Sequence, residues 1–218
     1  TSSDHERVFN DIARHMSDPR YLKIEGKPVL VVYRPSIIDQ AFEMTTLWRR
    51  EAERRGWPGV YLIATNAFGF DDPRALGFDA LSEFPPHGVN VAPLGETLQW
   101  INRDHTGRVF AYDEVARQQA QRLASTQSQG VRFPGVMPGW DNEARRPGAG
   151  VIYHGATPES YGLWLGAAIG AAKRSLPPDR RFVFINAWNE WAEGAHLEPD
   201  RRNGRAFLRQ TARVLSAA

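Results

Sequence analysis

Two glutamates, Glu190 and Glu193, lie three residues apart in the stretch FVFINAWNEWAEGAHLEPD, which runs from Phe182 to Asp200. A carboxyl pair at that spacing suits glycosidic-bond chemistry. One group is held protonated to assist the leaving oxygen, and the other stays ionised to stabilise or generate an electrophilic anomeric carbon. Mutual repulsion and partial desolvation push such a pair apart in pKa, and this separation assigns acid and base. Trp188 and Trp191 offer flat apolar faces to a sugar ring, and Asn189 can hold hydroxyls. By itself an E-x-x-E spacing is weak, because acids after a strand also serve loop solvation or a helix N-terminus.

Other strand ends strengthen the reading. Apolar segments finish in Tyr33-Arg34, Thr65-Asn66, Glu83, Trp140-Asp141-Asn142 and Asn189-Glu190. In parallel α/β folds, ligands bind where the C-terminal strand ends converge. Candidate substrate contacts are therefore Tyr33, Asn66, Glu83, Trp140, Asp141, Asn142, Trp188, Asn189 and Trp191. For Glu83, a substrate hydroxyl contact and a buried salt bridge are both open. With period two, Val183, Ile185 and Ala187 share one face of the last strand, while Asn186, Trp188 and Glu190 reach the mouth on the other.

The elements that must position these residues alternate. SDHERVFNDIARHM (3–16) is an amphipathic helix with Val8, Ile12 and His15/Met16 on one side. A strand from Pro28 to Tyr33 is apolar on both faces, as expected when it is covered twice. A helix capped by Ser36 ends at Gly56. Strands follow in GVYLIATNAFG (59–69) and FDALSEFPP (78–86), then a long loop, PPHGVNVAPLGE (85–96). DEVARQQAQRLAS (113–125) is a helix, RFPGVMPGWDN (132–142) a strand, and EARRPGAGVIYHGA (143–156) a loop. Thr157 and Pro158 open another helix, whose Gly162, Gly166 and Gly170 suit close packing against a sheet. RFVFINAW (181–188) is the last strand, and a closing helix spans Gly204 to Leu215.

This alternation argues for a parallel α/β architecture. Five strands are too few to close an eight-stranded barrel, which takes about 250 residues. The choice is an open sheet or the C-terminal five or so βα units of a TIM-type (β/α) barrel. With no Met at Thr1 and no signal peptide, the chain reads as a piece of something longer.

Composition narrows the function classes. The formal charge is +2 and the arginines are scattered, so no basic stripe marks a nucleic-acid surface. With no cysteine there is neither disulfide nor thiolate chemistry. No apolar run reaches the roughly 20 residues of a membrane span. His87, His154 and His196 are widely spaced and match no zinc motif, so no metal is expected. No nucleophile elbow or phosphate-loop pattern occurs.

The residues FINAWNEWAEGAHLEPD resemble the end of WbsX-type domains, which are similar to the family 99 glycoside hydrolases. The Asn-Glu-Trp-x-Glu-Gly core, Asn189 to Gly194, carries the resemblance, and DPRYLKIEGKPVLVVYRP and PGWDNEARR extend it. It implies a (β/α)₈ barrel over a single domain, 1–218, and retaining cleavage of α-mannosidic linkages with no metal or cofactor. By resemblance, Glu190 acts as base on the neighbouring 2-hydroxyl, giving a 1,2-anhydro sugar, and Glu193 acts as general acid and then base. Tyr33 matches a substrate-contacting tyrosine, and Trp140, Asp141 and Asn142 match a segment lining the sugar sites. Ala192 stands where the hydrolases commonly have His, and Arg34-Pro35 where they have an aspartate-containing segment. Both departures follow the WbsX pattern, linked to bacterial surface-polysaccharide assembly.

The expectation is a cytoplasmic bacterial enzyme that cleaves or transfers glycosidic bonds. The alternatives are a nucleotide-sugar glycosyltransferase of lipopolysaccharide synthesis and a non-catalytic carbohydrate-binding scaffold. An open barrel edge would also allow pairing with a second copy.

Overall fold

The computed structural model describes residues 1–95, 98–125 and 130–218, so the loop over 85–96 ends at a residue outside the described ones. Along the chain come α1 (Ser2–Met16), β1 (Lys23–Ile24), β2 (Lys27–Val32), α2 (Ala41–Arg54), β3 (Tyr61–Asn66) and β4 (Ala80–Glu83). Then follow β5 (Arg108–Ala111), α3 (Tyr112–Ser125), β6 (Arg132–Phe133), β7 (Gly135–Val136), β8 (Trp140–Asp141) and β9 (Val151–His154). The chain ends in α4 (Pro158–Ser175), β10 (Phe184–Ile185), β11 (Asn189–Glu190), β12 (Ala195–His196) and α5 (Ala206–Ala217). The fold is mixed α/β. The residues sort into two compact units: Thr1–Glu83 with Ser128–Phe133 and Leu176–Arg181, and Phe84–Gln127 with Pro134–Ser175 and Phe182–Ala218.

The first unit is a sheet in the order β1-β2-β3-β4-β6. β2, β3, β4 and β6 are parallel, and β1 is an antiparallel edge. β3 is buried from Tyr61 to Thr65, so its unbroken apolar run is what a central parallel strand requires. β2 departs from expectation at its end: Val31 is 42% exposed, although Val29 on the same face is buried. The buried face of α1 is Phe9, Ala13 and Met16, with Ile12 beside them, while Val8 is exposed. The apolar positions at i, i+3, i+4 and i+7 thus start at Phe9, one residue later than Val8 suggests.

Ser36 does not cap α2. Pro35–Ile37 form a 3₁₀ turn, and α2 starts after Gln40, whose φ is +57°. Gly56, at φ +78°, ends the helix as expected. Arg49 of α2 ties the sheet entry together, donating to Val60 O (2.9 Å), Gly77 O (2.7 Å) and Asp79 Oδ2 (3.1 Å). That Asp79 oxygen also accepts the Leu62 N–H at 2.8 Å. Trp48 joins the two helices, stacking on Phe9 and donating its indole N–H to His5 O at 2.8 Å.

The second unit is built from shorter pairings. β7 and β10 are parallel, β5 and β9 are parallel, and β8 runs antiparallel to β9. β9 falls where a loop was expected, and β5 where the sequence predicts no element. The expected strand over 132–142 splits into β6, β7 and β8, which lie in three sheets. Pro134 separates the first two, and Pro138-Gly139 the last, since proline donates no ladder hydrogen bond. The strand expected over 181–188 shrinks to Phe184–Ile185.

The core of this unit gathers Tyr112, Val136, Met137, Tyr161, Trp164 and Leu165. Each such apolar side chain contributes roughly 1.5–3 kcal/mol on burial. Tyr112 donates its hydroxyl to Met137 O, and burial holds its phenol well above the ordinary range. Ser160 N–H donates to Thr157 Oγ1 at 3.2 Å, the expected N-cap of α4. The glycines of α4 serve a different neighbour from the sheet expected. A methyl at Gly162 would fall inside the Gln210 side chain, and one at Gly166 would sit 3.7 Å from Val214, so this face lies against α5.

Trp48→Ala is expected to destabilise the first unit by about 3–5 kcal/mol, through lost burial and a cavity. Equilibrium urea denaturation should read this as a lower midpoint, whereas Val8→Ala should move it little.

Candidate active site

The second unit carries the site. After β10 the chain passes through Asn186, is joined to Ala187 by a cis peptide bond, and enters the hairpin of β11 and β12. Asn189 pairs with His196, and Glu190 with Ala195. The connecting residues are a 3₁₀ turn, Trp191–Glu193, and Gly194 at φ +60°. A Cβ at Gly194 would lie 3.0 Å from the Asp141 nitrogen and 3.1 Å from its Cβ, so only glycine fits both the backbone angle and the space. The hairpin tip is thereby seated against β8.

Arg145, four residues beyond Asp141, joins both glutamates. Its Nη2 donates to Glu190 Oε1 at 2.8 Å, and its Nη1 to Glu193 Oε1 at 3.1 Å. The three side chains differ in solvent access: Arg145 is 50% exposed, Glu190 37% and Glu193 21%. Burial pushes the Glu193 carboxyl above the ordinary glutamate range; Arg145 pulls against this, and the charge of Glu190 adds to it. Such a pair favours one ionised and one protonated carboxyl.

The loop holding Arg145 is fastened at both ends. Asn142 N–H donates to Val151 O at 3.3 Å, and its side-chain oxygen accepts the Val151 N–H at 2.7 Å. The Glu143 carboxylate accepts N–H donors from Gly148 and Gly150, the latter at 2.9 Å, and His105 Nδ1 lies 3.5 Å away. Those backbone donors, led by Gly148, hold the Glu143 carboxyl below the ordinary range. Thr106 N–H donates to Gly148 O at 2.7 Å, joining the strand before α3 to the same loop.

Below the hairpin, the Trp191 ring stacks on His196 with centroids 3.8 Å apart and donates its indole N–H to Glu198 Oε2 at 2.7 Å. His196 Nε2 is 3.2 Å from Asp200 Oδ2. Burial raises the Asp200 pKa, but hydrogen bonds from Asn203 and His196 outweigh it and bring the pKa down to about 2. Trp188 and Trp191 are both exposed, leaving indole surface open on the residues that flank Glu190.

Of the sequence-derived candidates, the second unit holds Trp140, Asp141, Asn142, Trp188, Asn189, Glu190, Trp191 and Glu193. Trp140 is half-buried against the core, with its indole nitrogen unpartnered among the described residues. Asp141 Oδ1 accepts the Glu143 N–H at 3.0 Å, and Asn142 serves the loop, so these two side chains shape the segment bearing Arg145. Asn186 does not reach a mouth. It is buried and donates its amide to Pro85 O at 2.7 Å.

Tyr33, Asn66 and Glu83 belong to the first unit. Asn66 and Glu83 are register partners at the C-terminal ends of β3 and β4. The Asn66 amide donates to Phe70 O at 2.6 Å, while Glu83 is buried. Tyr33 is exposed after β2, edge-on to Phe68 at 6.2 Å. Beyond the same strand ends, a cleft of about 560 Å³ is lined by Ile38, Phe42, Phe70 and Asp71 among others.

Arg145 is the residue that sequence reasoning missed. Its signal was its place in PGWDNEARR, directly after a strand end already marked as polar. Among the described residues, no group of three or more His, Asp or Glu side chains is placed to hold a metal ion, and no helix is long and apolar enough to cross a membrane.

An α/β scaffold with a paired-carboxylate hairpin and open indoles is an architecture met among carbohydrate-active proteins. The chain belongs to the glycosyltransferase WbsX family, whose model matches residues 1–211. It is 40% identical over 218 residues to the uncharacterized protein WxcX of Xanthomonas campestris pv. campestris (strain B100), covering 100% of this chain and 31% of that protein. WxcX from a second strain of that pathovar is 39% identical over the same span. The chain thus spans about a third of the length of these relatives, at 31%. In fold it is similar to a glycoside hydrolase-like protein, with TM-score 0.64, 12% identity, and coverage of 96% of this chain and 60% of that one. It is also similar to the family 99 endo-alpha-mannosidase from Bacteriodes thetaiotaomicron, solved with BIS-TRIS-propane. There the TM-score is 0.55 at 17% identity, covering 99% of this chain and 64% of that one.

Two outcomes test this geometry. Gly194→Ala should cost about 1–2 kcal/mol for the left-handed backbone alone, plus the clash with Asp141, seen as a lower midpoint in thermal unfolding. Glu143→Ala should free the loop, so that trypsin cuts after Arg145 several-fold faster than in the parent protein. Equal cleavage rates would show that Glu143 does not hold it.

Proposed function

We propose that this chain carries the acid–base pair of an enzyme that cleaves or transfers glycosidic bonds, with retention, on an α-mannoside-like polymer of bacterial surface polysaccharide metabolism. The observation that carries the reading is the asymmetry of the two carboxyls. Glu193 is the more buried and sits above its ordinary pKa, while Glu190 is the more exposed and makes the shorter contact to Arg145. A general acid needs the first environment, and a base needs the second.

In the resembling hydrolases' scheme, the Glu190 carboxylate takes the proton of the sugar's 2-hydroxyl as O2 attacks C1. Glu193 gives its proton to the leaving oxygen, and a 1,2-anhydro sugar results. Water or an acceptor hydroxyl then attacks C1 and passes its proton to Glu193, while Glu190 returns its own to O2. In this reading Trp188 and Trp191 supply stacking surface, and Asn189, exposed at the start of the hairpin, holds a hydroxyl. Fold likeness to the family 99 protein supports reading the parallel unit as part of an incomplete (β/α)₈ barrel.

A second reading rests on the family's description: transfer from a nucleotide sugar. Consumption of a sugar nucleotide would favour it, and release of reducing sugar in water would favour hydrolysis. A protein that binds saccharide, quenching tryptophan emission with no product under either condition, would be a carbohydrate-binding scaffold.

In the full-length protein, Glu190→Gln and Glu193→Gln are each expected to lower turnover at least 100-fold with the circular dichroism spectrum unchanged. Full activity in both variants would end the proposal.

A further inference from the structure

We propose that Arg145 is a positioning residue that divides the labour of the two carboxyls, clasping Glu190 by its closer contact and limiting how readily Glu193 takes a proton. This deepens the reading of Glu190 and Glu193 as an acid–base pair and rests on it. One guanidinium faces two carboxyls, through Nη2 at 2.8 Å and Nη1 at 3.1 Å. With both carboxyls ionised, the cluster carries one uncompensated negative charge. The first proton to arrive relieves that excess.

Where the proton goes is decided by solvent. Glu193 has the lower exposure and therefore the greater penalty for remaining charged. Glu190 keeps the closer, charge-assisted hydrogen bond and more water. Planarity makes arginine fit for this task, because two forked N–H groups reach two acceptors at once, which a lysine ammonium cannot do with the same fixed geometry. The loop bearing Arg145 is pinned by Glu143 and Asn142, so the guanidinium is presented from a fastened base.

Other charged groups near the turn have partners of their own. Asp141 of β8 caps the Glu143 N–H, and His196 of β12 is stacked under Trp191 and bonded to Asp200. Glu198 holds the Trp191 indole. Among the described residues, the charged groups that act on the Glu193 carboxyl are Arg145 and Glu190.

The test is a ¹³C NMR titration of the glutamate carboxyls, in the absence of any sugar. In Arg145→Met, the Glu193 midpoint should rise by about one pH unit, the lower part of the range for losing an opposite charge at hydrogen-bond distance, since the arginine is half exposed. Arg145→Lys should restore part of the shift. The reciprocal variant, Glu190→Gln, should lower the Glu193 midpoint. An unchanged midpoint in Arg145→Met, or a raised one in Glu190→Gln, overturns the proposal. In the full-length protein the rate falls as Glu193 loses its proton, so Arg145→Met should move the alkaline limb of the kcat/KM profile to higher pH. The titration needs no turnover. Failure of the glycosidic reading would show in active Glu→Gln variants, and failure of the arginine's role in unmoved midpoints.

Discussion

The site depends on a place where no side chain fits. Gly194 turns the hairpin in a left-handed conformation and brings its tip within van der Waals reach of the Asp141 backbone. β10 is only two residues long and could not by itself direct the acidic residues that follow it. The seat against β8 does so instead. It also sets the distance from the hairpin to the loop after β8, and so allows one guanidinium to span two carboxyls. Backbone sterics fix the frame, and electrostatics then operate within it.

Within that frame the energies are modest but directional. An exposed ion pair contributes only about 0–1 kcal/mol to stability, so the contacts of Arg145 do little to hold the fold together. Their effect falls on protonation, where one pKa unit corresponds to about 1.4 kcal/mol. The fold is held by the aromatic cores around Trp48 and Trp164, and by polar ties such as Arg49 to Asp79. Stability and the geometry of the carboxyl pair thus rest on largely different residues.

Much of the first unit was legible because its strands obey simple rules. Tyr61 to Thr65 is apolar and buried on both faces, and Gly56 ends a helix as glycine does. The second unit was harder for identifiable reasons. Proline and glycine cut the stretch 132–142 into three strands of two residues each, too short for periodicity to register. β9 lay inside a segment whose glycines and arginines read as loop, and β5, only four residues long, is too short for its pattern to register. The acidic pair was legible from residue type and spacing, but its cation was not. Arg145 is 45 residues from Glu190, and only the fold brings the two together. Asn186 shows the reverse error, since alternation placed its side chain at a mouth and a bond to Pro85 O took it inside.

Because the hairpin is seated through main-chain atoms, its chemistry and its side chains are separable. The Gly194–Asp141 approach asks nothing of residues 188, 191 or 192 beyond their backbone angles. Side chains at these positions can therefore be exchanged without disturbing the approach that seats Glu190 and Glu193. The backbone seat thus separates what fixes the hairpin in place from what it presents to solvent.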